Sequence, residues 1–304
     1  MFSPLPLLLA AFSSAVIVVA AAPTFPPASV VNDTNIMNYA LTLEYIERTF
    51  YQQGLEQFCE DDFEAAGFPP WVRGRFVQIR DHEETHVQFL TSQLDALGAT
   101  PVEPCTYSYP YTDVQSWVTL SMTLESVGSG AYMGAGRFIS DKDALVASQS
   151  IAQIEARQAG WVASAAKHLP PWDGNFETPL YFSGAFSLAV GFIDACPASN
   201  PPIPVTVFPP LSVSNSTPAH GDTIALAYNA SVPAGNTTFL AWYSGLNTTF
   251  TPIANGTTTV PDALLGTVYA GVVSNTTAQT GDATMLTGLA VFNFPFNSSA
   301  RGNA

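Results

Sequence analysis

The sequence predicts two domains of different class, a four-helix bundle followed by an antiparallel β-sandwich. Residues 30–196 contain four amphipathic segments with apolar residues spaced by three, four and seven, the period of a helix that buries one face. Residues 207–304 are rich in Thr, Val, Asn and Gly, in short alternating runs separated by turn residues. The Pro-rich linker at 197–206 cannot be helical, so we place the domain boundary there.

The composition of the 304-residue chain is that of a globular protein. Apolar residues make up 47% of it and charged residues 11%. The formal net charge is -15, because only 9 Lys and Arg stand against 24 Asp and Glu. No basic segment gives the chain an electrostatic basis for binding nucleic acid or an anionic membrane, so neither is expected as a partner.

Residues 1–21 predict a secretory signal peptide. Apolar runs at 7–12 and 15–22 end in small residues that suit cleavage. A membrane anchor is the alternative, but Ser13 and Ser14 interrupt the run and leave it short of a secure span. We expect a protein that is secreted to the extracellular space or the cell wall and has no membrane anchor after signal removal.

Eight N-x-S/T sequons predict a surface coated with N-linked glycans. All but the first lie in the last third of the chain, within the predicted β-domain. The asparagines are Asn32, Asn215, Asn229, Asn236, Asn247, Asn255, Asn275 and Asn297.

The three cysteines are Cys59, Cys105 and Cys196. In an oxidising compartment an odd count leaves one bridge and one thiol, or no bridge. Cys105 and Cys196 each follow a predicted helix and lie in or beside a Pro-rich extended segment. We therefore predict a disulfide between these two.

The first predicted helix begins at Asp33 or Thr34, either of which could cap it, and runs to about Phe58. Glu44 lies on its apolar stripe, among residues expected to face the core. Glu47 lies on the neighbouring stripe and is the alternative to Glu44 as a buried carboxylate.

The second predicted helix covers about 71–97 and ends before Gly98, a favourable C-terminal signal. Glu83 and His86 occupy the centre of its apolar seam. Burying a carboxylate without a partner is energetically costly. A metal ion, another cation or a hydrogen-bond network must therefore compensate it.

The third and fourth predicted helices cover about 113–139 and 142–168. Glu125 lies in the middle of the third seam. Glu155 and Gln158 lie three residues apart in the fourth, and so repeat the placement of Glu-x-x-His in the second helix. The four helices thus offer the ligands of a dinuclear carboxylate bundle, short of one His.

A short apolar helix is predicted at 181–195, before the linker. The β-domain should be an immunoglobulin-like sandwich of about seven strands, because turn residues separate short β-branched runs. The predicted strands are 223–228, 237–243, 248–253, 257–260, 266–274 and 285–294.

His82 and His86 also form the H-E-x-x-H pattern of zinc peptidases. In that interpretation both imidazoles bind zinc and Glu83 activates a water molecule as general base. The longer form of the motif needs a third His six residues after the second, and Ser92 stands there. We rank this interpretation below a dinuclear site.

In a dinuclear site Glu44 and Glu125 would be terminal ligands, Glu83 and Glu155 would bridge, and His86 would complete one metal position. An oxygen-rich ligand set with imidazole suits iron or manganese. One or two ions are expected, and reaction with oxygen or peroxide is the usual chemistry of such a site.

Four short segments, at 38–47, 82–87, 124–128 and 154–158, resemble the secreted ferritin-like, desiccation- and stress-related proteins of fungi. The resemblance covers about residues 30–210, and the glycosylated β-domain is also similar to fungal members. It implies a ferritin-like bundle. The candidate metal ligands that it implies are Glu44, Glu83, His86, Glu125 and Glu155.

Glu44 is followed seven residues later by Tyr51, and this spacing resembles that of the first ferritin helix. The resemblance favours Glu44 over Glu47 as a ligand. Gln158 is a departure, because the second Glu-x-x-His would place His there and Gln is a weak ligand. The side chains expected around the ligands are Tyr51, His82, Tyr132 and Gln158.

A metal-free alternative is a structural or cell-wall glycoprotein. Its buried Glu and His would be a relic site that holds the helices in register through hydrogen bonds. Arg48, Arg157 or Tyr132 would then be their partners.

Overall fold

The computed structural model describes residues 31–231, 237–276 and 283–299, so the predicted signal peptide and Asn236 lie outside the described residues. Within them no helix combines the length and the apolar character needed to cross a membrane. The helices are α1 (Asp33–Gln57), α2 (Glu60–Ala65), α3 (Trp71–Ala96), α4 (Val114–Gly136), α5 (Lys142–Trp161) and α6 (Phe182–Ala189).

The four long helices pack as a bundle, with α1 against α3 and α4, and α4 against α5. Trp117 of α4 lies at one end of the core, stacked on Phe50 at 5.3 Å and edge-on to Phe76 at 4.7 Å. Gly54 makes room for it, because a Cβ there would lie 1.9 Å from the Trp117 indole nitrogen. The helical bundle, predicted within residues 30–196, is formed by the helices between residues 33 and 166.

Helix boundaries differ from the predicted ones where local hydrogen bonds decide them. Asn32, not Asp33 or Thr34, caps α1, because its extended backbone lets its side chain accept from the Asn35 amide at 2.9 Å. The acidic connection after α1 forms α2, which the sequence reasoning missed. α5 ends at Trp161 and continues as a π-helical turn at Val162–Ala166, short of the predicted end.

The predicted helix at 181–195 is wrong in its second half. α6 ends at Ala189, a short 3-10 turn follows, and Ile193–Ala195 forms strand β2. β2 pairs antiparallel with β1 (Thr106–Tyr107), and a disulfide joins Cys105 and Cys196 beside this pair. The backbone of β2 thus forms hydrogen bonds with β1, which it could not do if α6 continued through these residues. Cys59 is a free, exposed thiol.

The C-terminal part forms two antiparallel sheets, with strand orders β3-β4-β7 and β6-β5-β8-β9. Trp242, Phe292 and Val268 of the larger sheet pack with Ile224 and Leu226 of the smaller one in a common core. The strands are β3 (Ser212–Val213), β4 (Thr223–Ala227), β5 (Phe239–Ser244), β6 (Asn247–Pro252), β7 (Thr257–Thr259), β8 (Gly266–Val273) and β9 (Met285–Phe294).

The predicted linker at 197–206 is extended, but it packs against the helices. Ile203 and Val205 are buried in the core of the helical domain. α6 packs on β9, where the Leu289 amide donates to the Ser187 hydroxyl at 2.8 Å. Two apolar side chains within the Pro-rich run explain this, since their burial is favourable. The segment therefore joins the helical and β parts by contact, and it is not a free spacer.

Candidate metal centre

Glu44 of α1, Glu83 and His86 of α3, and Glu155 of α5 converge in the middle of the bundle. One potential ligand atom from each lies within 4.8 Å of the others, and all four residues are buried. Each is near the centre of its helix, where an inward-facing position meets the other helices. The sequence spacing of the predicted ligands therefore corresponds to one compact cluster.

Hydrogen bonds fix the orientation of these ligands. His86 Nδ1 is 2.9 Å from Glu83 Oε2 and 3.3 Å from Glu44 Oε2, the latter within ion-pair distance. The Tyr132 hydroxyl donates to Glu44 Oε1, and Gln158 Nε2 donates to Glu83 Oε1 at 3.2 Å. Gln158 stands where a second Glu-x-x-His pair would place a His ligand, and it instead holds the Glu83 carboxylate by a hydrogen bond.

Glu125, the remaining predicted ligand, is fully buried and receives a hydrogen bond from the Tyr51 hydroxyl. It belongs to the same electrostatic group, because its charge contributes to the raised pKa of both Glu47 and Glu155. It is not among the four residues whose ligand atoms lie closest together. Glu125 therefore lies beside the compact cluster.

Glu47 is an additional carboxylate that the sequence reasoning ranked below Glu44. Both are buried, because α1 is buried on every face from Asn38 to Glu47, but only Glu44 is among the four residues whose ligand atoms lie closest together. A Cβ on Gly128 would lie 2.7 Å from Glu47 Oε1 and 2.8 Å from Glu155 Oε2. The glycine therefore leaves space for two carboxylates from opposite sides of the bundle.

Several carboxylate oxygens in this cluster have no hydrogen-bond partner, and neither has the amide oxygen of Gln158. Buried polar atoms are normally paired, and a carboxylate without a partner is especially unfavourable. Arg48 does not pair with the cluster, because its guanidinium lies 3.7 Å from Glu84. The carboxylate oxygens without a hydrogen-bond partner in the described part of the chain are Glu47 Oε2, Glu125 Oε2, both oxygens of Glu155, and Glu44 Oε2, which has only its ion pair with His86.

Burial dominates the electrostatics of the carboxylates. It raises the pKa of Glu47, Glu125 and Glu155 well above the usual value, and repulsion from neighbouring carboxylates raises it further. For Glu83, burial raises the pKa to about 7 against the opposing hydrogen bond of His86. Burial and mutual repulsion therefore favour the protonated form of these acids in the metal-free cluster, and a bound metal ion would replace those protons.

His86 has the opposite balance. Burial lowers the pKa of its imidazole, but interactions with the Glu44 and Glu83 carboxylates outweigh this and raise the pKa to about 10. The imidazole therefore carries a proton in the metal-free cluster, and that proton must leave before the nitrogen binds a metal.

His82 does not join the cluster. Its side chain is exposed, and its Nδ1 lies 3.0 Å from Gln158 Nε2 on the groove between α3 and α5. The geometry therefore does not support a zinc site made from His82 and His86, and it favours the Glu-x-x-His interpretation of the motif.

Four long helices that enclose a cluster of carboxylates and one imidazole define a ferritin-like arrangement. Residues 32–168 match the family of the ferritin-like domain, so the N-terminal half contains a ferritin-like helical domain. The chain is also similar to protein rds1 of Schizosaccharomyces pombe. The two are 28% identical over 278 aligned residues, which cover 76% of this chain and 67% of that protein.

Proposed function

We propose that this chain is a secreted stress-related glycoprotein whose ferritin-like domain holds one or two iron or manganese ions. The observation that carries the proposal is the set of buried carboxylate oxygens without hydrogen-bond partners. Glu44, Glu83 and Glu155 offer oxygen ligands, and His86 adds one nitrogen. This donor set fits iron or manganese better than metals that prefer thiolates.

When bound, iron or manganese supplies redox chemistry with oxygen or peroxide. The chain contributes the positions of the ligands and their protonation. Tyr132 holds Glu44, Tyr51 holds Glu125 and Gln158 holds Glu83, so hydrogen bonds fix the orientation of three carboxylates. The buried surroundings exclude water, which strengthens the attraction between the carboxylates and a cation.

Metal content is the direct test. Protein secreted by the native host should contain stoichiometric iron or manganese by elemental analysis. A Glu83→Ala, His86→Ala double variant should lose the metal and the rise in melting temperature that added metal gives the wild type. Glu84→Gln is the matched control, because Glu84 faces Arg48 and not the cluster. Metal-free wild type, or equal melting shifts in all three proteins, would refute the proposal.

A metal-free structural glycoprotein is the alternative outcome. That alternative predicts hydrogen-bond partners for the buried carboxylates, and the Tyr132 hydroxyl, which donates to Glu44, is one of them. Arg48 does not supply the counter-charge that it also needs, since it pairs with Glu84.

Secretion and glycosylation are supported by the predicted signal peptide, the disulfide and the positions of the sequons. Seven of the eight sequon asparagines are among the described residues, and each is exposed, as a glycan requires. The exposed glycans of the β-domain would suit association with the cell wall. Mass spectrometry of the secreted protein before and after glycosidase treatment tests occupancy.

The β-domain is further proposed to be an immunoglobulin-like sandwich. Its first, second and fifth strands form one sheet and its third, fourth, sixth and seventh form the other, as in that class of sandwich. The two sheets share one core around Trp242. An experimental structure with a different strand order would overturn this assignment.

A further inference from the structure

A cavity of about 720 Å³ opens at the end of the bundle where α1 begins. It lies between α1, α3, α4 and α5. Small side chains leave it unfilled, because residues at these inward positions are too short to reach across the bundle. The small residues in its wall include Ala40, Ala131, Ala135, Ala144, Ala147 and Ser148.

The cavity runs from the surface towards the carboxylate cluster. Asp33 lies at its mouth and Leu43 near its inner end, which at 1.5 Å per residue is a depth of about 15 Å along α1. Tyr132 also lines the cavity, and its hydroxyl donates to Glu44 Oε1. The inner end is therefore one hydrogen bond away from a candidate metal ligand.

The wall is apolar, and the rim carries three carboxylates together with the exposed apolar side chains of Phe89 and Leu97. Ile36, Leu43, Leu90 and Ile151 line the interior, whereas the carboxylates of the mouth are Asp33, Asp141 and Asp143. Asp33 accepts two backbone hydrogen bonds across the opening, from Ser140 and Asp141. Lys142 lies near Asp33 and offsets only part of this negative charge. An anionic head group would meet repulsion at this opening.

The volume lies within the range of about 300–1,000 Å³ for small-molecule sites. We propose that the cavity binds one elongated alkyl-chain molecule with an uncharged polar head group. The head lies at the acidic mouth and the tail contacts Tyr132. Binding does not require metal, whereas a role for this molecule as a substrate or effector of the cluster rests on the proposed function.

The tail acts on the cluster through Tyr132. A chain packed against the ring restricts its motion, and the ring holds Glu44 through the hydroxyl. Occupancy of the cavity therefore links an apolar ligand to the position of a carboxylate that faces His86.

The test uses the full-length secreted protein, metal-free, and the uncharged apolar fluorophore N-phenyl-naphthylamine. The fluorophore should bind saturably, one molecule per chain, and dodecanol should displace it at lower concentration than dodecanoate does. Ala147→Phe should weaken binding about tenfold or more, because its ring enters the cavity from a partly exposed position. Val146→Phe, which adds the same ring at a position 69% exposed, should bind as the wild type does.

Five outcomes would overturn the inference, four from the binding assay and one from light scattering. The first is the absence of saturable fluorophore binding, and the second is an equal loss of affinity in Ala147→Phe and Val146→Phe. The third is stronger displacement by dodecanoate than by dodecanol. The fourth is binding to a shortened chain that begins at Val31 but not to the full-length protein. The last would mean that the preceding segment fills the cavity. A dimer that Ala147→Phe dissociates, seen by light scattering, would assign the surface to a second copy. Since the assay contains no metal, its result is independent of elemental analysis.

Discussion

His86 of α3 faces Glu44 of α1 across the bundle, with His86 Nδ1 3.3 Å from Glu44 Oε2. The same nitrogen is 2.9 Å from Glu83 Oε2, so one imidazole lies between two carboxylates. The packing of α1 on α3 creates this arrangement, although Glu44 and His86 are 42 residues apart in the sequence. It brings negative charge from two helices to one point, where a cation is the natural complement.

The stability of the metal-free protein should fall as the pH rises. The pKa of Glu83 is about 7 in the folded chain against 4.5 ordinarily, so the folded state keeps a proton that the unfolded state releases between these values. His86 acts in the same direction, since its pKa is raised from 6.5 to about 10 and its proton stabilises the fold until the pH passes these values. Denaturant unfolding of chelator-treated protein on both sides of pH 7 measures the slope. Stability that rises across this range would contradict the assignment.

Replacing Gly128 should disturb the cluster more than it disturbs the helix. In Gly128→Ala the new methyl group would lie 2.7 Å from Glu47 Oε1 and 2.8 Å from Glu155 Oε2, so both carboxylates must move. We expect metal affinity to fall about tenfold, an effect of about 1.4 kcal/mol. Manganese titration followed by electron paramagnetic resonance gives the affinity.

The matched control is Gly74→Ala on α3, where an added Cβ meets nothing within 4 Å. It should stabilise the protein by about 0.5–1 kcal/mol, because Ala is the better helix former, and leave metal binding unchanged. Unchanged affinity in Gly128→Ala would show that the two carboxylates do not take part in binding.

Gln158→His should raise the number of ions held per chain. The new imidazole would complete a second Glu-x-x-His pair with Glu155. Gln158 now donates to Glu83 and lies 3.0 Å from His82 Nδ1. Elemental analysis after reconstitution measures the ratio. Gln153→His, exposed on the same helix, is the control for a surface imidazole that binds metal by itself. Equal ratios in wild type and Gln158→His would mean that the position does not limit occupancy.

Asn32 should have two separable roles, as helix cap and as glycan acceptor. Its Oδ1 accepts from the Asn35 amide at 2.9 Å, and a glycan would attach through the side-chain nitrogen. Asn32→Ala removes both roles and should cost about 1 kcal/mol of unfolding free energy relative to Asn32→Asp, which keeps the cap. Thermal unfolding of the two variants from the same host compares them at equal glycosylation. Equal stability would show that the cap contributes nothing.

Helical periodicity was sufficient to place Glu44, Glu83, His86 and Glu155 in the interior, because one stripe of each helix faces the bundle axis. It offered Glu44 and Glu47 as alternatives, whereas both are buried, since periodicity assumes one buried face and α1 is buried on all of them in this region. Glu44, the preferred one, lies in the compact cluster. The surroundings of α1 depend on segments distant in sequence. No local pattern reveals them.

Helix boundaries and short strands were harder to predict, because they too depend on contacts with segments distant in sequence. β2 forms where an apolar run would otherwise continue α6, because β1 offers backbone partners from a distant segment: Thr106 pairs with Ala195 and Tyr107 with Ile193. The strands of the β-domain were placed more accurately, since turn residues mark their ends. Met285–Phe294 matches its predicted range.

The disulfide divides the ligands of the cluster between two lengths of chain. Cys105 and Cys196 are 91 residues apart and enclose Glu125 and Glu155, whereas Glu44, Glu83 and His86 all precede the closed loop. Closing a loop of this size removes unfolded conformations worth about 4–5 kcal/mol in the chain-entropy description. A reducing agent would remove this constraint from the unfolded state and so lower the stability of the whole fold that brings the two lengths together. If the cluster holds a metal ion, its retention would then depend on the redox state of the surroundings as well as on the ligands themselves.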